Sequence, residues 1–350
     1  MPVKAIFSDR AIINPEDEQH SIEQFNRSDG INAVSTLIIT NDKMCRDGYS
    51  RDFRTIQVAH RMELLYELGD ALEVNPQNDE KAVSEFLHAY CNDFGDHTLV
   101  KLHSFGIDGD ISLLGLFTHV LDLFGKPSKH FMQQLATFAS DEEERNAMLD
   151  PGFLKTATKE TGLTITGALL RFKKAVPPLP ALLAMIPVVK PRTYSIASAP
   201  LASPASIELL VLIDTWWCDE GLRYGLTCNM LRKLKSGDRL WCRIKAGSME
   251  RPLPVQSVLC AGIGSGIAPS MAFLWTASGL RRTARLWHLC RCTLATVSKR
   301  KNICFKKNSN ATTSSTRGSI CIWLLAATTR RTRSTFKMYD LVSDACLLAQ

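Results

Sequence analysis

The stretch from Val258 to Leu274, VLCAGIGSGIAPSMAFL, constrains this chain more than any other. Val258 to Ala261 is a short apolar run that reads as a buried strand, and it feeds directly into Gly262, Gly264 and Gly266. Glycines at alternate positions permit positive φ and let main-chain N–H groups approach a phosphate that side chains would keep away. Ile267-Ala268-Pro269 then opens a helix, since a proline in the first turn lacks only an N–H that has no helical partner there. Two readings stay open on these residues alone: an ordinary strand-to-helix connection, or a phosphate cradle. The spacing is not G-x-G-x-x-G, because the third glycine arrives one position early, and no Asp or Glu occurs from Arg251 to Tyr339. The ribose-binding acid expected about 20 residues on is therefore missing, which points to a 2′-phosphorylated dinucleotide or to no dinucleotide.

The same acid-free region divides the chain electrically. Arg281 to Lys337 carries 14 Lys and Arg, whereas the first 280 residues are net negative. Such asymmetry suggests a nucleic-acid arm, but the tail lacks regular basic-aromatic interleaving, so no nucleic acid is expected as a partner. At 350 residues and 45% hydrophobic content, one to three globular domains are expected. No apolar run is long enough to span a bilayer and MPVKAIFSDR lacks a signal-peptide core, so a cytoplasmic protein with no membrane span is expected. The eleven cysteines have neither disulfide-framework nor zinc spacing; even Cys290 and Cys292 sit too close together.

Taken in order, residues 1–30 mix acids with Asn and Ser and read as a loosely ordered lead-in. Ile31 to Thr40, Phe53 to Ala59 and Tyr66 to Val74 read as strands, the last closed by the turn residues NPQND. Val83, Phe86, Leu87 and Tyr90 then mark an apolar helical face. Ser128 is placed to cap a helix burying Phe131, Met132, Leu135 and Phe138, and Ser140 with Glu143 forms a capping box for the next. After Pro177, Pro178 and Pro180 strands return. In Arg192-Thr-Tyr-Ser195, Arg192 and Tyr194 share one strand face and Ser195 points the other way. Ile207 to Asp214 and Arg239 to Ile244 are further strands. Between them, Tyr224-Gly-Leu-Thr-Cys-Asn-Met-Leu231 is a second glycine-led turn into a helix, whose free N–H groups suit an anion.

Three devices thus follow one another: R-x-Y-S, a glycine turn into a helix, and G-x-G-x-G-I-A-P. With YELGDALEVNPQND, LFTHVLDLFGKPSKHFMQQLATFASDEEE, PRTYSIAS, RYGLTCNML, IKAGSMERPLP and CAGIGSGIAPSMAFL, the chain from about Arg54 to Leu274 resembles the FAD- and NADPH-binding half of the diflavin reductases. That group includes NADPH-haemoprotein reductase and the flavoprotein subunit of sulfite reductase. The residues alone show strands, a helical block, then strands. The resemblance implies an antiparallel FAD-binding β-barrel from 31–78 and 186–252, interrupted by a helical connecting insertion at 79–185. It also implies a doubly wound, ferredoxin-NADP reductase-like NADPH domain over 253–350, atypical from about 276 and C-terminally incomplete.

The resemblance further implies the roles. Tyr194 stacks on the flavin, Arg192 pairs with the FAD pyrophosphate, and Ser195 sits near flavin N5 and assists hydride transfer. Gly225, Leu226, Thr227 and Cys228 present N–H groups to the pyrophosphate, Cys228 standing where Ser or Thr is usual. Gly262, Gly264, Ser265 and Gly266 hold the NADPH pyrophosphate, while Lys337 and Tyr339, with Arg333, resemble the 2′-phosphate segment. Electrons then leave FAD for an FMN-containing module or haem protein outside this chain. The FMN domain and the late nicotinamide-side motifs are missing, and residues 276 to 333 read as translated out of frame. The alternative expectation is therefore a truncated or frame-disrupted flavin-binding remnant.

Overall fold

The computed structural model describes residues 5–8, 13–28, 30–45, 51–90, 98–160, 162–218, 221–249, 259–261, 264–280 and 293–295. Its first elements are β1 (Ala5–Ser8) and α1 (Pro15–Arg27). The Asn14 side chain accepts the Glu16 N–H at 3.2 Å, Pro15 opens the helix, and Glu16, Asp17 and Glu18 occupy its first turn. Each favours a helix start, by capping, by a preset φ and by charge against the helix dipole. The expected loose lead-in is thus corrected over 15–27: Ile22 and Phe25 are buried, and only two large side chains there carry the apolar face.

β2 (Val34–Lys43), β3 (Asp52–Ala59) and β4 (Ala71–Val74) come next. The last is shorter than the sequence suggests, because Gly69, at φ +91°, and Asp70 turn the chain before it. The helical segment then contains α2 (Glu80–Tyr90), the hairpin β5 (Leu99–Ser104) and β6 (Ile107–Ser112), and α3 (Leu113–His119). It continues with α4 (Lys129–Ala136), α5 (Glu142–Leu149), α6 (Pro151–Glu160), α7 (Ile165–Arg171) and α8 (Leu179–Met185). Ser128 caps α4 as expected, accepting the Phe131 N–H at 3.0 Å. The next cap is Asp141 rather than Ser140: its carboxylate accepts the Glu144 N–H at 3.1 Å, while the Ser140 hydroxyl donates to Lys174 O. The β5–β6 hairpin, absent from the sequence reading, turns at Phe105 and Gly106, both at positive φ, and pairs with β1. These helices and the hairpin share one core with α1, centred on Phe25, Leu87, Leu116, Phe117 and Phe131.

After α8 come β7 (Arg192–Ser195), β8 (Ser206–Ile213), a ribbon of β9 (Thr215–Cys218) and β10 (Gly221–Tyr224), α9 (Leu226–Lys233) and β11 (Arg239–Lys245). The main sheet is six-stranded and antiparallel, in the order β7-β4-β11-β2-β3-β8. Alternation along β8 turns Ile207, Leu209, Val211 and Ile213 to one core, beneath Met230 and Leu231 of α9. The described ladder is open, and its two edge strands meet in the single bridge Ile196↔Leu209, with the Ala197 N–H donating to Glu208 O at 2.8 Å. Finally β12 (Leu259–Ala261) pairs in parallel with β13 (Thr293–Ala295), and α10 (Ala268–Leu280) follows the glycine turn. No helix among the described residues is long and apolar enough to cross a membrane.

Two buried polar clusters tie these parts together. Asn26 on α1 accepts from the Asn75 side chain at 2.8 Å and donates to Ile22 O, while the Asn75 N–H reaches Trp241 O on β11. Glu73, 7% exposed, lies between Thr193 of β7 and Arg243 of β11, its direct cross-strand neighbours. Its carboxylate accepts from Thr193 Oγ1 at 3.1 Å, Arg243 Nε at 2.7 Å and Lys245 Nζ at 2.7 Å. Lys245, foremost, and then Arg243 and Thr193 outweigh burial and hold the carboxyl at about 2, below its ordinary 4.5.

Asn26→Leu strands a buried amide, so we expect a loss of about 1–3 kcal/mol in denaturant unfolding with an unchanged slope. Because the folded carboxyl of Glu73 titrates below its unfolded value, its stabilisation is complete above pH 4.5 and is lost as pH falls through about 2. Glu73→Gln should cost about 2 kcal/mol at pH 7, discounted for the half-exposed Lys245. Melting temperatures of the two proteins should converge over that acid range; a gap that persists at its lower end rejects the assignment.

Candidate functional site

β7 is an edge strand of four residues, and its register on β4 pairs Val74 with Arg192, Leu72 with Tyr194 and Ala71 with Ser195. Arg192 and Tyr194 therefore share the face of the buried Leu72 and Val74, while Thr193 and Ser195 share the face of Glu73. Tyr194 is half-buried against the sheet core; burial raises its phenol well above the ordinary range, and the neighbouring Cys228 thiol adds to this. Arg192 and Ser195 are exposed.

α9 begins beside this strand. Gly225 is its N-cap and offers no side-chain acceptor, so the first turn is uncapped except by its own main chain, starting with Asn229 N–H to Gly225 O at 2.7 Å. The N–H groups of the first turn, carried by Leu226, Thr227 and Cys228, are the ones a helix leaves for an anion. The Thr227 hydroxyl is buried with no hydrogen-bond partner among the described residues. The Cys228 side chain serves the fold instead. Its Sγ accepts the Asp214 N–H at 3.4 Å and lies 3.7 Å from Leu212 O, fastening α9 to β8. Burial foremost raises its thiol above the usual range, so it stays protonated near neutral pH. Behind the first turn, the Arg232 guanidinium covers the Tyr224 ring at 4.1 Å.

The glycine turn is a 3-10 turn over Gly264–Ile267. Gly264 has φ +60°, a conformation that favours glycine, and a Cβ there would make ordinary contact with the Phe53 ring at 3.6 Å. A Cβ on Gly266 would meet nothing, leaving that side of the turn open next to Ser265. Ile267 and Ala268 pack on Ala197 and Leu210, which sets the start of α10 two residues beyond Ser195. Three segments distant in sequence, β7, the start of α9 and the Gly264–Gly266 turn, are thereby brought around the edge of one sheet. Gly262, Arg333, Lys337 and Tyr339 lie outside the described residues, as do Cys290 and Cys292.

Three further side chains shape this region without having been singled out in the sequence. Glu73 locks β7, and Phe53 backs the glycine turn. Asp122 carries a carboxylate with one buried oxygen that feels the Arg192 charge. All three act across more than 60 residues of chain, so no local spacing marks them. Together the residues fit a dinucleotide: an uncapped helix start and a guanidinium for phosphates, and a half-buried phenol for a flat ring.

The FAD binding domain family matches residues 38–230. The chain is 37% identical over 249 residues to the mitochondrial pyruvate dehydrogenase (NADP+) of Euglena gracilis, covering 68% of this chain and 13% of that protein. It is 33% identical over 223 residues to the probable sulfite reductase (NADPH) flavoprotein component of Schizosaccharomyces pombe, covering 60% and 22%. With the NADPH-dependent diflavin oxidoreductase 1 of Debaryomyces hansenii it shares 26% over 287 residues, covering 74% and 47%. The chain thus spans less than half the length of these relatives. A family match running through both β7 and the start of α9 makes this chain a member of the FAD binding domain family, of the diflavin reductase kind.

Proposed function

We propose that this chain is the FAD- and NADPH-binding part of a flavoprotein reductase that passes electrons to an FMN-containing module or a haem protein. The observation that carries the reading is the docking of the glycine turn on Ala197, which brings an NADPH-type cradle beside the FAD-type strand Arg192–Ser195. When bound, FAD supplies hydride acceptance from NADPH and release of single electrons, chemistry no side chain here offers.

The chain's own residues orient the two cofactors. Tyr194, wedged on the sheet core, offers its ring as a stacking platform for the flavin. Arg192 and the first-turn N–H groups of Leu226, Thr227 and Cys228, preceded by Gly225, neutralise the FAD pyrophosphate, with the buried Thr227 hydroxyl as a further donor. Ser195, on the opposite face from Tyr194, is the hydroxyl assigned to the reacting edge of the flavin. Gly262, Gly264, Ser265 and Gly266 hold the NADPH pyrophosphate, and Arg333, Lys337 and Tyr339 its 2′-phosphate. The domain division of 31–78 with 186–252, 79–185, and 253–350 belongs to the same proposal. So does closure of the sheet as a barrel, which the Ile196↔Leu209 bridge between its edge strands supports.

Purified protein should be yellow, and anaerobic NADPH should bleach its flavin absorbance. Protein that stays colourless after reconstitution with FAD rejects the flavin reading; protein that holds FAD but is inert to NADPH rejects the NADPH half. Tyr194→Ala should weaken FAD by about tenfold, the scale of one lost aromatic stack, in a fluorescence titration of flavin-free protein.

A further inference from the structure

Asp122 follows α3 in a short strap that pairs with the chain entering β7. Leu121 bridges Val188, the Asp122 N–H donates to Pro187 O at 2.8 Å and the Val189 N–H to Val120 O at 2.9 Å. Beyond this strap the chain runs on through Lys190 to Arg192, and both cations, Arg192 the more strongly, act electrostatically on the Asp122 carboxylate. Gly125 closes over it so tightly that a Cβ at 125 would lie 2.6 Å from Asp122 Oδ2. Yet Oδ1 is buried and has no hydrogen-bond partner among the described residues. The Arg192 side chain, exposed at the start of β7, likewise makes no hydrogen bond or ion pair to a described residue. A buried carboxylate oxygen without a donor is costly, and a guanidinium with five donors is the group best able to serve two anions at once. Burial indeed pushes the Asp122 carboxyl up, and Arg192 is the foremost charge pulling it back.

We propose that Asp122 is a positioning residue for Arg192: on cofactor binding the guanidinium bridges, one edge on Asp122 Oδ1 and the other on a phosphate of the dinucleotide. The inference rests on the reading of Arg192 as an FAD-pyrophosphate residue. Without the ligand, the carboxylate is a local cost to the fold; with it, the cost is relieved and the fork is held in plane with the phosphate. A group of this kind differs from an ordinary structural aspartate in a measurable way. Its removal should spare or raise the stability of the flavin-free protein while weakening the cofactor.

The test uses the full chain stripped of flavin. FAD dissociation constants and melting temperatures are measured for wild type, Asp122→Asn, Asp122→Glu, Arg192→Gln and the Asp122→Asn/Arg192→Gln double variant. We expect Asp122→Asn to weaken FAD about tenfold, Asp122→Glu to recover part of that loss, and Asp122→Asn to add nothing in the Arg192→Gln background. Flavin-free Asp122→Asn should melt no lower than wild type. An unchanged FAD affinity, an equal loss in both backgrounds, or a fall in melting temperature that parallels the loss of binding overturns the inference and leaves the flavin reading standing. Wild type that fails to bind FAD overturns both.

Discussion

The Glu73 carboxylate is the contact on which the site's geometry depends. It gathers three cationic or hydroxyl donors from two other strands, and it does so at the point where a four-residue edge strand has few bonds of its own. Side chains on a strand alternate between faces, so a slip of one residue in β7 would turn Arg192 and Tyr194 away from the core face and bring Thr193 and Ser195 onto it. Thr193 on Glu73 fixes one face and Tyr194 over Leu72 fixes the other. Arg243 extends the arrangement to Gly30 O at 2.8 Å, beyond the end of α1, so the same carboxylate couples β7 to the segment leading into β2.

Cys228 and Ala197 have comparable roles at the other two segments. The Cys228 side chain is occupied between Asp214 N and Leu212 O, which leaves the first-turn backbone N–H groups and the Thr227 hydroxyl as the unengaged polar groups of this turn. Ala197 is fully buried beneath Ile267 and Ala268, and its small side chain sets how near the glycine turn comes to β7. A larger residue there would lift the turn away from the sheet without touching either cradle. The site is therefore assembled from three local motifs by contacts that lie outside all of them.

That division explains what the sequence revealed. Elements with a local signature were legible: the alternation of β3 and β8, the apolar face of α2, the Ser128 cap, the glycine-led start of α9. α1 was missed although Asn14 and Pro15 announce it, because acids and amides outnumber its two buried apolar side chains. The β5–β6 hairpin was missed because its turn is Phe105-Gly106, and a phenylalanine at φ +59° is not a residue that turn chemistry suggests. The motif residues of the candidate site were legible as backbone devices and as an Arg-Tyr pair. Their supports, Glu73, Asp122 and Phe53, were not, since each meets its target only after the chain has folded back over a long separation.

The order of the main sheet also sets when it can form. β3 lies between β2, its near neighbour in sequence, and β8, whose residues 206–213 are made some 150 positions later. Until the helical segment and β7 have emerged from the ribosome, the edge of β3 offers eight residues of unpaired backbone beside Ile56 and Val58, both fully buried in the finished fold. Long-range pairing of this kind is slow, because loop closure must precede the contacts that reward it. The helical segment between the two halves, whose core is shared with the earlier-made α1 and with neither half of the sheet, is the part able to collapse first and shorten that loop. Its place in the chain makes it a timing element of synthesis as well as a spacer between the two halves of the sheet.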